Sequence, residues 1–109
     1  MTNTIEINGE TYIKENLAKQ SPHPFKIGEK YFIRTVTMHL VGKLEKVFDT
    51  ELVISGAAWV ADSGRFYNAI KDGEKAMEDI EPYIDDVIVG RGALIDMTKW
   101  NHDLLTNQK

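Results

Sequence analysis

Eight consecutive residues, Trp59-Val60-Ala61-Asp62-Ser63-Gly64-Arg65-Phe66, bring together two large aromatics, a carboxylate, a hydroxyl and a guanidinium. An Asp-Ser-Gly run could present a nucleophilic hydroxyl or a phosphate-holding turn. The chain has neither the G-x-S-x-G elbow nor the Gly-rich phosphate loop that such chemistry needs. The plainer reading is a helix start. Asp62 or Ser63 accepts a backbone N–H as a cap, and Gly64 eases the turn. A helix start also attracts anions, and Arg65 would then be the counter-charge. Trp59 and Phe66 read as core or interface anchors, because a large aromatic is costly to leave exposed.

The other reactive side chains are scattered. His39 sits on a strand pattern beside Gly42. It reads as a general base with an Asp or Ser partner, or as a partly exposed strand residue with no convergent groups. His23 lies between Pro22 and Pro24, and His102 lies in the tail. Three histidines without an i, i+4 pair make no zinc pattern. There is no cysteine, so thiol catalysis, cysteine metal sites and disulfides are excluded. Glu78, Asp79, Glu81, Asp85 and Asp86 lack the loop spacing of a calcium site and read as a solvated face. No metal or cofactor is expected. Arg91 stands between Gly90 and Gly92, either as a solvated turn residue or as a guanidinium offered to a phosphate. Arg34, His39, Arg65 and Arg91 therefore form the candidate anion-binding set. The formal net charge of −4 means such binding is local and stereospecific rather than a diffuse phosphate attraction.

These residues need elements to position them. At 109 residues, 42% hydrophobic and 28% charged, the chain fits one globular domain. Residues 1–29 read as an N-terminal arm. Asn8-Gly9 favours a type I′ turn between Ile5–Ile7 and Thr11–Ile13, and Ser21-Pro22-His23-Pro24 forbids regular structure. Residues 30–97 read as a β-rich body. Strands over Tyr31–Val36, Thr37–Val47 and Glu51–Trp59 have short connections and form an antiparallel meander. Gly42 marks a bulge or sharp bend. Residues 66–80 change to helical spacing. Gly73 leaves two readings, one helix or a short helix that breaks at Asp72-Gly73. Val87–Ile95 is the last strand, bent at Gly90-Arg91-Gly92. Residues 98–109 are a tail whose Trp100, Leu104 and Leu105 suit a terminal helix docked on a neighbour. Residues 1–13 lack an apolar core and do not read as a signal peptide. No apolar run reaches membrane-spanning length, so the cytoplasm is the expected location.

Val41-Gly42-x-Leu44, the turn at Asp49, Ala57-Ala58 and Val89-Gly90-Arg91-Gly92-x-x-Ile95 together resemble the two-part signature of Sm-like small β-barrels. The resemblance covers roughly Tyr31 to Ala58 and Val87 to Ile95. It implies a strongly bent antiparallel SH3/Sm-like barrel, homo-oligomeric rings and RNA held at the turns. Asp49-Thr50-Glu51-Leu52 lacks the Asn with which the family reads RNA, and the two motifs stand about thirty residues apart. Ile33 to Trp59 is also similar to short uncharacterised proteins of phages and prophages, which implies a viral origin and a place in the host cytoplasm or virion. The expected function is a non-enzymatic assembly or structural protein. Its expected partners are copies of itself, with Trp59, Phe66, Trp100, Leu104 and Leu105 at interfaces, and other viral or host proteins. The alternative is a module capturing nucleic acid or a nucleotide-like anion at subunit boundaries. The third reading is a small enzyme using His39.

Overall fold

A computed structural model describes residues 23–109. The expected hairpin around Asn8-Gly9 and the polar segment after it lie outside the described residues. The rest is mainly β. Strands β1 (Lys30–Thr35), β2 (His39–Val47) and β3 (Glu51–Asp62) form the expected antiparallel meander. Helix α1 (Phe66–Asp72) and a 3-10 turn (Gly73–Ala76) follow. Then come β4 (Asp79–Pro82), β5 (Val87–Gly90), a 3-10 turn (Arg91–Ala93) and β6 (Leu94–Lys99).

The strand order is β4-β3-β2-β1-β6, and β5 also pairs with β3. β3 is long enough to hold two partners in tandem on one side. β5 lies beside Glu51 to Ile54, and β4 beside Ala58 to Asp62. The sheet does not close. Among the described residues β5 has only β3 as a strand partner, and β6 only β1, so no ladder there completes the expected barrel.

Neighbouring apolar residues of one strand point to opposite faces, and here both faces are covered. Phe32, Val41, Ala58, Val60 and Ile80 pack with Ala69 of α1 and with Met77, Trp100 and Leu105. On the other face Ile33, Leu40, Leu44, Leu52, Ile54, Ala57 and Val89 form a second core. Pairs such as Phe32-Ile33 and Leu40-Val41 are therefore buried at both members. That is why these strands read as apolar runs rather than clean alternations.

Gly42 does mark a bulge, since the β2–β3 register shifts between Val41 and Lys43. A Cβ at this position would stand 2.2 Å from Ile54 Cγ2. Only glycine lets β2 approach β3 this closely.

Of the two readings of the helical segment, the break at Asp72-Gly73 is the one observed, and Gly73 with φ of 81° ends α1. Three expectations change on the structure. Residues 79–82 are strand, although the helical spacing runs to residue 80. Ile80 is buried opposite Val60, and tertiary pairing outweighs the helical spacing of the acidic run. The single last strand becomes β5, a turn and β6, with β6 reaching Lys99. The tail forms no helix. Residues 100–109 run in irregular structure across the first core, and Lys109 exchanges both backbone hydrogen bonds with Ile80, at 3.0 and 3.2 Å.

Candidate functional site: the β1–β2 turn and the unpartnered strand edges

The turn between β1 and β2 is braced from within. The Thr35 hydroxyl accepts the N–H of Thr37 at 3.3 Å and of Met38 at 3.0 Å, and donates to the Met38 carbonyl at 2.9 Å. Thr35 is buried, and the Val36 N–H donates to Ala93 O at 2.9 Å. The threonine hydroxyl thus replaces turn hydrogen bonds that backbone alone would leave unmade. The result is a stiff loop that holds Val36 and Met38 in solvent.

Two grooves share the wall Thr35, Thr37 and Met38. One, of about 300 Å³, runs to His39 and Trp59. The other, of about 340 Å³, runs along β5 past Tyr83 and Ile88, with Leu40 and Val89 in its lining. The Tyr83 hydroxyl reaches Met38 Sδ at 3.6 Å. Trp59 is 42% exposed and Ile88 71%. A third groove, of about 570 Å³, follows β6. Phe25, Tyr31, Arg91, Leu94 and Met97 are among its walls.

The backbone along these grooves is open. Arg91 N–H donates to Thr50 O at 2.8 Å, which sets the phase of the β3–β5 ladder. Val87 and Val89 bond toward β3, and Ile88 and Gly90 direct their N–H and C=O groups outward. Likewise Trp100 N–H donates to Lys30 O at 2.9 Å. Thr98 and Asp96 therefore bond toward β1, and Lys99 and Met97 face outward. Neither outward edge has a backbone partner among the described residues. β4 differs: Lys109 covers its edge at Ile80, and Pro82 removes one donor.

The anion-binding set does not converge. Arg34 and His39 are directly opposed on β1 and β2, but Arg34 is engaged. Its Nε donates to Asp96 Oδ1 at 2.9 Å, its Nη2 bonds Oδ2, and its guanidinium lies 5.1 Å over the Phe66 ring. These hydrogen bonds from Arg34 hold the Asp96 carboxyl below its ordinary value, against the opposing effect of burial. His39 packs its ring 5.6 Å from Phe32 and forms no hydrogen bond among the described residues. Arg91 stands by the opposite end of β2. It donates to Phe48 O at 2.7 Å and lies 5.0 Å over Phe25. Arg65 is exposed, with no partner for its side chain among the described residues.

The junction after β3 differs in detail from the expected cap. Asp62 Oδ1 accepts the Gly64 N–H at 2.8 Å, and Gly64 takes φ of 68°. Asp62 therefore shapes the turn. Arg65 occupies the N-cap of α1 without a side-chain hydrogen bond. No group of three or more His, Asp or Glu is placed to hold a metal ion among the described residues.

The expected interface residues divide. Trp59 and Phe66 are exposed. Trp100 and Leu105 are buried in this chain's own core, with Leu104 packed against it. Trp100 Nε1 donates to Asp103 O at 2.9 Å, and His102 bonds Ile70 O at 2.8 Å beneath α1. These tail residues cannot serve an interface while the tail stays docked, because the face of β1–β4 already buries them. Sequence reasoning missed Val36, Met38, Tyr83 and Ile88. Val36, Met38 and Tyr83 are large apolar residues within or beside turns, and Ile88 lies within β5, so residue type alone does not bring them together.

No helix among the described residues is long and apolar enough to cross a membrane. Comparison with protein-family models, curated proteins and solved structures finds no match.

Proposed function

We propose that this chain is a non-enzymatic assembly protein with an Sm-like bent, open sheet, which builds a homo-oligomer by pairing the outward edge of β5 with the outward edge of β6 in the next copy. The observation that carries the reading is the complementarity of those two edges. Antiparallel pairing must oppose residues whose backbone groups both face outward. Ile88 then meets Met97, and Asp86 meets Lys99. Both pairs fall in one register, which ends at the bulge where the β1–β6 pairing skips Ile95. They join an apolar pair and opposite charges, each a favourable kind of cross-strand neighbour.

Ile88 enters the groove walled by Met97, Phe25 and Tyr31 of the next copy. An open apolar edge is an aggregation hazard that proteins ordinarily blunt. Here β4 is blunted and β5 is not, which fits an edge kept for a partner. The contact is heterologous, so it closes into a ring or continues as a filament according to its rotation.

Light scattering after size exclusion tests this. The account expects an oligomer at neutral pH, a lower mass for Ile88→Asp, and recovery in a mixture of Asp86→Lys with Lys99→Asp chains. A monomeric wild type would overturn it.

A further inference from the structure

We infer that the surface formed by Trp59, Met38 and Tyr83 docks a segment of another protein that presents an arginine or lysine beside an apolar side chain. The first ground is shape. Met38 is the ridge shared by two grooves, with Trp59 on one side and Tyr83 on the other. The braced turn fixes that ridge before any partner arrives, so little ordering is left for binding to oppose.

The second ground is charge. Glu81 lies directly across from Trp59 in the β3–β4 ladder. Its carboxylate oxygens accept only from the neutral amide of Gln108, at 2.9 and 3.2 Å, so it has no cationic partner among the described residues. Asp85 and Asp86 are exposed on the same connection, beside the nearly fully exposed Ile84. Neither groove has a lysine or arginine in its lining.

The third ground is free hydrogen-bonding capacity at the surface. The exposed Trp59 indole N–H and Thr37 hydroxyl have no hydrogen-bond partner among the described residues, so both can donate to backbone carbonyls of the docked segment. A cationic side chain placed on the indole face would gain the ring's attraction and the Glu81 carboxylate together. An apolar neighbour would fill the groove between Met38 and Tyr83. An acidic segment would meet Glu81 and Asp85 and be repelled.

This inference does not rest on assembly, since Trp59 and Glu81 take no part in the β5–β6 register. The test uses the full chain labelled with 5-fluorotryptophan, which gives one fluorine signal for exposed Trp59 and one for buried Trp100. Acetyl-Leu-Arg-Leu-Lys-amide and acetyl-Leu-Glu-Leu-Glu-amide are the probes. The basic peptide should move the Trp59 signal alone, saturably and less strongly in high salt. Glu81→Lys should weaken it at least tenfold and Glu81→Gln less, and the acidic peptide should do nothing. Equal shifts from both peptides, no shift from either, or an affinity unchanged in Glu81→Lys would overturn the inference. So would a lower solution mass for Glu81→Lys without any peptide effect, which would assign the surface to contact between copies.

Discussion

Replacing Gly42 by alanine should destabilise the chain through a single methyl. An ideal Cβ there stands 2.2 Å from Ile54 Cγ2, 3.2 Å from Ser55 O and 3.3 Å from Ala57 Cα. Ordinary contact is nearer 3.5–4 Å, so the strands must part or Ile54 must leave its rotamer. Ile54 is fully buried, and a β-branched side chain has few alternatives. Overpacking of this kind costs about 1–3 kcal/mol. For a domain of this size each kcal/mol lowers Tm by roughly 4–8 °C. The clash identifies its own suppressor. Ile54→Leu removes the offending Cγ2, whereas Ile54→Val keeps it. A double-mutant cycle by urea unfolding at fixed protein concentration should show favourable coupling of about 0.5 kcal/mol or more for Gly42→Ala with Ile54→Leu. It should show none with Ile54→Val. A neutral Gly42→Ala, or equal coupling for both partners, would refute the close approach of β2 to β3.

Trp100→Ala should cost about 3–5 kcal/mol, as expected for a buried large aromatic, and should release the tail from α1; limited proteolysis of residues 100–109 checks it. Arg65→Ala should leave the unfolding midpoint unchanged to within roughly 0.5 kcal/mol, because an exposed side chain without partners contributes little. Asp96 contributes to stability above the ordinary carboxylate range and loses that contribution as pH falls through its depressed folded value. The drop in unfolding midpoint between pH 5 and pH 2 should therefore be smaller in Asp96→Asn than in wild type. An identical drop would mean the bond from Arg34 does not persist in solution.

Much of the body was legible because local signals and burial agreed. Short turns and apolar strands specified the meander, Gly42 marked the bulge, and Asp72-Gly73 marked the end of α1. The misreadings share one cause. Ile80 and Met77 lie at helical spacing from Phe66 and Ala69, yet the first core draws Met77 and Ile80 into extended chain. Trp100, Leu104 and Leu105 also have helical spacing, but they pack as an irregular strap against β1 and α1. Spacing reports which residues are apolar, not which face will receive them. The site was legible only in part. Trp59 stood out by type, whereas Met38, Tyr83 and Ile88 gain meaning only when the fold sets the β1–β2 turn beside β5. Arg34 drew attention as a cation, and only the β1–β6 register shows that Asp96 already occupies it.

Covalent trapping of the edge register tests the central claim most directly. The chain has no native cysteine, so introduced thiols have no competitors. Directly opposed residues in a hydrogen-bonded antiparallel pair have Cα atoms about 5.5 Å apart, within disulfide reach. Ile88→Cys chains and Met97→Cys chains, mixed and mildly oxidised, should give a covalent dimer on a non-reducing gel. Each variant alone should give little. Absence of the mixed dimer, or an equally strong dimer from Ile88→Cys alone, would contradict pairing of β5 with β6 between copies.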